Sequence, residues 1–280
     1  FKALKFSDKR ALSRLVKMIK KDKLSFEVLK SLNTDELFAN TGQTKRLIDN
    51  FWKPFIIAVF NAEPKETSAL MFAGMIKTGF LKKGGSELVL PEDFLSDIFS
   101  GPAIVYLKSR DAEIITGCRV KKVNFQNDYL SSIITEDNKE LKSDFYVSAV
   151  PFFEFKNVFG EIVYNRDFSK AEGLKPSPIV NIHLKFEKSI EHVFKGRFAG
   201  FLSTRTQWIF KVKQDQVCLV ISSAKEIAEL DKEEILNIAV NDMCSCLPGL
   251  KEIKITDSRV IKEMRATFVP DADSIEKRLS

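Results

Sequence analysis

The spacing of apolar residues changes near residue 110 of the 280-residue chain, and no other feature of the sequence constrains the fold as strongly. Up to residue 80 the apolar side chains recur every three or four positions, which is typical of helices with one buried face. Beyond Arg110 they alternate with polar residues in AEIITGCRVKKVNFQ, YLSSIITED and ELKSDFYVSAV, which is typical of strands. The sequence therefore predicts an α/β fold of the mixed α+β type, with helices, a mixed β-sheet and a three-stranded β-meander.

Local signals place the ends of the first helices. Ser7 and Thr34 are expected to cap short helices, and Thr44 to cap a longer helix over residues 45–60. Gly42 is expected to end a helix in the left-handed conformation. Pro54 lies inside the long helix, where it removes one backbone hydrogen bond and should kink the axis.

Two further helices are predicted before the meander. Pro64 is expected to begin a helix that runs to Gly84-Gly85. Residues from Asp93 to Arg110 are expected to form one helix that Gly101-Pro102 interrupts. Turns are predicted in the meander at QND, residues 126–128, and at DNK, residues 137–139.

A second β-rich block follows at SPIVNIHLKFE, FAGFL, TQWIFKVK and QVCLVISS, and then a helix over residues 232–247 and a last strand. In the first of these strands the even-numbered side chains are apolar and the odd-numbered ones are polar. One face of this sheet is therefore predicted to be buried, and that face carries Val180, Ile182, Leu184 and Phe186.

The composition argues against several classes of function. Lys and Arg number 44 and Asp and Glu 38, and the cations are spread over helical faces rather than gathered between aromatic residues. This distribution does not favour nucleic acid as a partner. The four cysteines form no C-x-x-C pair and no cluster with His at metal spacing, so we expect reduced thiols in a cytoplasmic protein and no metal site. The 24 phenylalanines favour a dry interior or an apolar cavity.

Several stretches in a fixed order carry a family resemblance. FWKPFIIAVFNAEPKETSALMF, LVLPEDFLSDIF, SPIVNIHLKFE, TQWIFKV, VISSA and KEMRATF resemble the squalene-associated FAD-dependent desaturases, the hydroxysqualene dehydroxylases. That group belongs with the phytoene desaturases and the flavin amine oxidases. The meander AEIITGCRVKKV…ELKSDFYVSAVP resembles the part of their FAD-binding domain from which the chain leaves through Ala-Val-Pro.

The resemblance implies FAD as the cofactor and a discontinuous FAD-binding domain. Residues 1–90 and 156–268 are then the helical and sheet parts of a substrate domain, 91–155 the inner part of the FAD-binding domain, and 269–280 a return segment. In the same way it implies that the backbone of Val120 meets the adenine ring, and that Val150 and Pro151 lie beside the cofactor.

The chain departs from the family pattern at both ends. None of its 12 glycines forms the G-x-G-x-x-G turn that holds a pyrophosphate at a helix N-terminus. It also stops before a Gly-Asp-Trp-like segment, and Phe1 is not an initiator methionine. We therefore expect the interior of a longer flavoprotein, inactive as an isolated fragment and with little affinity for FAD.

The reaction that the resemblance implies is the reductive dehydroxylation of hydroxysqualene to squalene, and it needs an apolar channel for an isoprenoid substrate. We expect aromatic side chains to form the wall, and ordinary helix core is the alternative for those on the helices. The residues predicted for the wall are Phe51, Trp52, Phe55, Phe72 and Trp208.

Polar residues of the channel are predicted on the last strand and at the end of the long helix. Arg265 and Thr267 lie on the strand that the family places alongside the flavin, and a surface strand end is the alternative. Asn61 is either a helix C-cap or a cavity residue. Lys262 and Glu263 alternate with Arg265 and could face either way.

No catalytic acid emerges from the remaining candidates. His183 lies on the polar face of a strand and His192 in a loop, so both are interpreted as surface residues. Cys244 and Cys246 do not share a helix face, so they are expected to pack rather than to act as a redox pair.

Three alternatives stay open at this point. The first two are a flavin amine oxidase and a carotenoid desaturase of the phytoene type, and the third is a lipid-binding module that never meets FAD. The Lys-rich first helix is either a peripheral membrane contact, at the inner face of the membrane, or a solvated helix face. The oligomeric state is not predicted.

Overall fold

The computed structural model describes residues 4–87, 89–92 and 94–277, and these residues cluster into two compact units. The first unit contains the chain up to Gly85 together with Leu174–Glu276, and the second contains Ser86–Gly173 and Lys277. Residues 156–173, assigned above to the substrate domain, fall in the second unit. The assignment of the units to substrate and cofactor stays a prediction.

The first half of the first unit is helical. Helix α4 is continuous over residues 45–60, and α5 over residues 69–80. The helices are α1 (Phe6–Lys20), α2 (Phe26–Ser31), α3 (Thr34–Asn40), α4 (Lys45–Leu47, a π-helical turn Ile48–Trp52, then Lys53–Phe60) and α5 (Ala69–Met75, then a π-helical turn Ile76–Phe80).

The predicted caps of α1 and α3 are wrong by two residues and one residue, respectively. The carboxylate of Asp8 accepts a hydrogen bond of 2.8 Å from the backbone N–H of Lys5, so α1 begins ahead of Ser7. Thr34 is the first residue of α3, because the side chain of Asn33 caps it. The cap at Thr44 is confirmed, since its hydroxyl accepts from Leu47 N–H at 3.2 Å.

Two prolines lie directly behind π-helical turns. In α4 the wide turn Ile48–Trp52 ends two residues before Pro54, and in the second unit the turn Ser96–Ser100 ends two residues before Pro102. A π turn widens the backbone where the proline ring would meet the preceding carbonyls, so both helices continue through their prolines. The predicted break at Gly101-Pro102 is therefore absent from the helix that the structure describes, and Asp93 lies outside the described residues.

The helix predicted from Pro64 is divided into two pieces. Pro64 begins only a single 3-10 turn, Pro64–Glu66. The following helix starts at Ala69, where the Ser68 hydroxyl accepts a hydrogen bond of 3.4 Å from the backbone N–H of Met71.

A five-stranded sheet forms the other half of the first unit. Its strands and the helices between them are β4 (Pro176–Phe186), β5 (Phe198–Gly200), β6 (Trp208–Lys213), β7 (Gln216–Ile221), α9 (Lys225–Glu229), α10 (Lys232–Cys246) and β8 (Ile255–Phe268). The strand order is β5-β6-β7-β4-β8, and all neighbouring strands are antiparallel.

The predicted alternation along β4 is confirmed. Its four even-numbered apolar residues are at most 2% exposed and belong to one core cluster with Ile235, Ala239 and Met243 of α10. Helix α10 ends at Cys246, just before Pro248, as the sequence predicts. One face of the sheet is therefore buried under helices, which leaves the other face for function.

The second unit contains the meander and several short helices. Its elements are α6 (π turn Ser96–Ser100, then Gly101–Lys108), β1 (Val120–Gln126), β2 (Tyr129–Thr135), β3 (Glu140–Leu141), α7 (Phe155–Phe159) and α8 (Glu161–Val163, then π turn Tyr164–Phe168). A last short helix, α11 (Ser274–Lys277), follows β8.

The turns of the meander are confirmed, but its third strand is much shorter than predicted. Asn127 and Asp128 have φ of 52° and 64°, as a tight two-residue hairpin turn requires. After the two residues of β3 the chain runs through residues 142–150 without strand pairing, and Phe145 and Val147 are 88% and 95% exposed. An alternating pattern becomes a strand only where a neighbouring strand offers hydrogen bonds, and the described residues offer none here.

The buried carboxylate of Asp8 holds the start of α1 to the start of α4. Its side chain is 1% exposed and accepts hydrogen bonds from the Thr44 hydroxyl at 2.6 Å and from Arg46 Nε at 2.7 Å. The hydrogen bond from Thr44, followed by those from the Lys5 N–H and Arg46, lowers the pKa of Asp8 despite the opposing effect of burial.

We predict that Asp8→Asn lowers the melting temperature at pH 7, and that this difference shrinks on acidification. Because the folded pKa is depressed, the carboxylate stabilises the fold above its unfolded pKa, and the stabilisation is lost as the pH falls through the folded value. Thermal melts of the wild type and the variant between pH 7 and pH 3 measure the effect. A difference that stays constant over this range would contradict the assignment.

Candidate functional site

Aromatic side chains cluster on the face of the five-stranded sheet that points away from α10. Trp208 and Phe210 lie on this face of β6, on either side of the buried Ile209. Phe198 of β5 stacks on Phe210, with ring centroids 5.9 Å apart, and lies 6.1 Å from Trp208. Gly200 allows this arrangement, since a Cβ there would lie 3.1 Å from the Trp208 ring. All three rings are half-buried.

Across β7 and β4 the same face continues with a thiol and an imidazole. Cys218 lies opposite Phe210 on one side and opposite His183 on the other, and its Sγ is 3.9 Å from His183 Nε2. Burial raises the pKa of the Cys218 thiol to about 11, so the group is neutral at physiological pH. Beside His183 this thiol is therefore part of an apolar wall and not a thiolate nucleophile.

The far edge of this face is polar. By strand alternation Arg259, Ile261 and Glu263 of β8 follow His183, Asn181 and Ile179 of β4 across the sheet. Lys262 points to the opposite side, because its Nζ donates to the backbone carbonyl of Leu230. Lys262 and Glu263 therefore lie on opposite faces of the sheet, a choice that the sequence left open.

Asn61 connects the end of α4 to the sheet. It is the C-cap of the helix, with φ of 52°, and it is 4% exposed. Its Nδ2 donates to the backbone carbonyl of Ser177 at 3.0 Å and to the Thr267 hydroxyl at 2.9 Å. Its Oδ1 accepts from the backbone N–H of Ser223 at 2.5 Å. All of its side-chain polar groups are engaged in these contacts within the first unit.

The predicted aromatic residues of the helical half divide into buried and half-buried ones. Trp52 and Phe72 are at most 1% exposed, their ring centroids are 5.3 Å apart, and Trp52 Nε1 donates to the Gln43 side chain at 3.0 Å. These two rings are helix core and expose no surface to a ligand. Phe51 and Phe55 are half-buried and stack at 5.9 Å, so they retain an accessible edge.

The remaining predicted residues occupy strand ends and loops. Arg265 and Thr267 are exposed on β8, and Thr267 is held by Asn61. In the second unit Val120 begins β1 and is half-buried. Val150 is also half-buried, and Pro151, which is exposed, precedes the 3-10 turn Phe152–Glu154. The roles assigned to these residues stay predictions. His192 is exposed, as expected of a loop histidine.

A cleft of about 820 Å³ in the first unit was not anticipated from the sequence. Ion pairs Lys53–Glu63 at 2.9 Å and Lys225–Glu66 at 2.5 Å involve lining residues. Burial, together with the neighbouring Glu63, raises the pKa of Asp35 there. Such a charged lining does not suit a hydrocarbon. The cleft forms where α4 meets the loops of the sheet, so no periodicity within one segment could have revealed it.

A model of the flavin containing amine oxidoreductase family matches residues 2–266. The chain belongs to this family. It is 24% identical over 246 residues to the hydroxysqualene dehydroxylase of Zymomonas mobilis. The aligned region covers 85% of this chain and 54% of that relative. It is 20% identical over 261 residues to the 15-cis-phytoene desaturase of Solanum lycopersicum. That alignment covers 86% of this chain and 44% of the relative. The predicted family resemblance is thus confirmed. The chain spans about half the length of the curated relatives it matches.

Solved structures share the fold. An oxidoreductase from Methanosarcina mazei superposes with a TM-score of 0.75 at 15% identity, over 94% of this chain and 62% of that one. A reduced UDP-galactopyranose mutase superposes with a TM-score of 0.66 at 12% identity, over 96% and 62%. These likenesses establish the α/β architecture.

The flavin of this family does not fit the residues of this chain alone. The pyrophosphate of a dinucleotide is held by a glycine-rich turn between a strand and a helix N-terminus. The sequence has no such glycine pattern, and every strand pair that the structure describes is antiparallel. We assign no chemical step to the cofactor here. The described residues likewise contain no group of three metal-binding side chains suited to an ion.

We predict that the Asn61 contacts make a large contribution to stability. Asn61→Gly keeps the left-handed backbone but leaves buried partners unpaired, and should lower the free energy of unfolding by about 2 to 4 kcal/mol. Asn61→Ala should cost about 1 to 2 kcal/mol more, because alanine disfavours positive φ. Denaturant unfolding measures both variants. Asn237→Ala, an exposed site on α10, is the control. A glycine variant as stable as this control would contradict the assignment.

We predict that alkylation distinguishes the cysteines. At pH 8, iodoacetamide should modify the exposed Cys118 and Cys246 within minutes and Cys218 at least tenfold more slowly. Peptide mass spectrometry follows each site, and unfolding in guanidinium should equalise the rates. Equal rates in the folded chain would show that Cys218 is neither buried nor neutral.

Proposed function

We propose that this chain is the substrate-binding part of a flavin-dependent oxidoreductase that acts on a polyisoprenoid. The specific reaction proposed is the reductive dehydroxylation of hydroxysqualene to squalene. Family membership supports the oxidoreductase class, and the similarity to a hydroxysqualene dehydroxylase supports the reaction. FAD is the proposed cofactor, held mainly by polypeptide outside these 280 residues, in a cytoplasmic protein.

The observation that carries the proposal is the aromatic face of the sheet. Phe198, Trp208 and Phe210 form a continuous wall that extends to a neutral thiol. Hydrocarbon chains bind such surfaces through burial of apolar area, at roughly 25 cal/mol per Å². If positive charge develops on a substrate carbon, an aromatic face stabilises it by roughly 0.5 to 2 kcal/mol. The residues of this chain therefore hold the isoprenoid and exclude water.

The alternatives differ in what they require of this face. An amine oxidase must hold a cationic substrate, but strands β5, β6 and β7 supply no carboxylate to this face, and Asp257 and Glu263 lie at its far edge beside Lys185 and Arg259. A phytoene-type desaturase would use the same apolar wall, and the likeness to a phytoene desaturase supports that second candidate. A lipid-binding module without redox chemistry agrees with the lack of a glycine-rich loop. Product analysis with the flavin-loaded full-length protein distinguishes these three from the proposed reaction.

Trp208 provides a direct binding test with the chain as it is. Squalene delivered from cyclodextrin should shift and quench Trp208 emission, while the buried Trp52 contributes a constant background. Trp208→Phe should abolish the signal. Phe210→Ala should keep the reporter and weaken squalene binding about tenfold, because one aromatic contact is lost.

The control variant is Tyr129→Ala, which removes an exposed ring from the second unit and should leave the affinity unchanged. Phytoene and putrescine are the competitors. Displacement of squalene by phytoene with higher affinity would favour the desaturase. Displacement by putrescine alone, or no change in Trp208 emission with any isoprenoid, would refute the proposal.

A further inference from the structure

The outward face of α1 carries mainly cations. Helices α1 and α2 both belong to the first unit, and the buried face of α1 is formed by Ala11, Leu15 and Ile19. With 3.6 residues per turn, the exposed side of α1 carries five Lys and Arg side chains together with Phe6, Ser7 and Ser13. The exposed cations of α1 and its flanks, called here the basic face, are Lys5, Lys9, Arg10, Arg14, Lys17, Lys20, Lys21 and Lys23.

These charges are not neutralised within the part of the chain that the structure describes. No ion pair joins any of the eight cations to a described residue. Asp8 and Asp22, the acids of α1 and of the turn after it, are engaged elsewhere, Asp8 with Arg46 and Asp22 with Lys77 at 2.5 Å. Like charges three and four residues apart, as in Arg10 and Arg14, destabilise a helix by a few tenths of a kcal/mol per pair. The helix therefore carries a repulsion that an external anionic surface would relieve.

One exposed apolar side chain lies among the cations of the basic face, and two more lie on the helix that follows α1 in sequence. Phe6 is 75% exposed, and the guanidinium of Arg10 lies 6.0 Å from its ring centroid. Helix α2, which begins six residues after α1 ends, exposes Phe26 to 58% and Val28 to 45%. Cations around exposed phenylalanines are the pattern of helices that lie in the headgroup region of a bilayer.

We propose that the basic face of α1 docks this protein on the surface of an anionic lipid bilayer, with Phe6 inserted among the acyl chains. The occupant is a bilayer and not a nucleic acid, because the aromatic residues flank the cations instead of alternating with them as stacking platforms do. No described helix is long and apolar enough to cross a bilayer, so the proposed contact is peripheral. The proposal stands independently of the proposed function, since it rests on charge and exposure alone.

Vesicle flotation with the 280-residue chain tests the docking. The chain should bind vesicles of phosphatidylcholine containing 30% phosphatidylglycerol and should float poorly with phosphatidylcholine alone. Each cation near an anionic surface contributes several-fold to partitioning, so the triple variant Lys9→Gln, Lys17→Gln, Lys20→Gln should bind on the order of 100-fold more weakly. Binding should also fall steeply between 0.1 M and 1 M salt.

Two controls make the result specific. The triple variant Lys188→Gln, Lys213→Gln, Lys254→Gln makes the same charge change at exposed positions around the sheet and should bind like the wild type. Phe6→Ser should weaken vesicle binding at least fivefold while leaving binding to polyuridylic acid unchanged. Circular dichroism and melting temperature verify that each variant is folded.

The results with these variants distinguish docking through α1 from a general attraction of the chain to anions. Loss of flotation in the α1 triple variant and in Phe6→Ser, with a normal control triple, establishes the docking face. Equal losses in both triples would show that only net charge matters, and unchanged flotation in Phe6→Ser would show a general affinity for polyanions. Either of these results, or failure of the wild type to float with anionic vesicles, overturns the proposal. Squalene binding by Trp208 is a separate readout, so the two proposals can fail independently.

Discussion

The amide of Asn61 is the contact on which the first unit depends. Asn61 ends α4 in the left-handed conformation. Its side-chain amide donates to the Ser177 carbonyl of β4 and to the Thr267 hydroxyl of β8, and accepts from the backbone N–H of Ser223 after β7. The hydroxyl of Ser177 returns a hydrogen bond of 2.5 Å to the Asn61 carbonyl. Four segments distant in sequence therefore meet at one buried side chain. These contacts, with the hydrogen bond from Ser68 N–H to the Pro270 carbonyl and the ion pair Lys225–Glu66, hold the helical half to the sheet.

The sheet gives the unit two chemically different faces. One is closed by α10 and carries the apolar core cluster of the unit. The other carries a row that runs from Phe198 through Phe210, Cys218 and His183 to Arg259, aromatic at one edge and charged, with both signs, at the other. Such a gradient suits a long hydrocarbon with a polar group at one point. The charged cleft near Lys53 and Lys225 has room for a ligand, but its ion pairs would have to lose their solvent to admit an isoprenoid.

Much of the fold could be predicted from the sequence because the decisive signals are local. The alternation along β4, the cap at Thr44 and the turn at Asn127 each depend on a few neighbouring residues. Residues 142–150 were predicted to form a strand, but no neighbouring strand among the described residues offers hydrogen bonds to them. The continuity of the helix at Pro102 was missed because a π-helical turn leaves no recognisable mark in a hydrophobic pattern. At the site, Trp52 and Phe72 could not be separated from Phe51 and Phe55 by spacing alone, since burial depends on α3 and α5. The Asn61 contacts join residues more than 100 positions apart and were accordingly invisible, although its capping role was foreseen as an alternative.

The central claim is that the aromatic face of the first unit holds an isoprenoid, and photolabelling tests it most directly. A diazirine analogue of squalene, photolysed with the folded chain and mapped by mass spectrometry, should label the peptides that contain Phe198, Trp208 and Phe210, and excess squalene should suppress this labelling. Labelling confined to the charged cleft or to the second unit, or labelling that squalene does not suppress, would contradict the account.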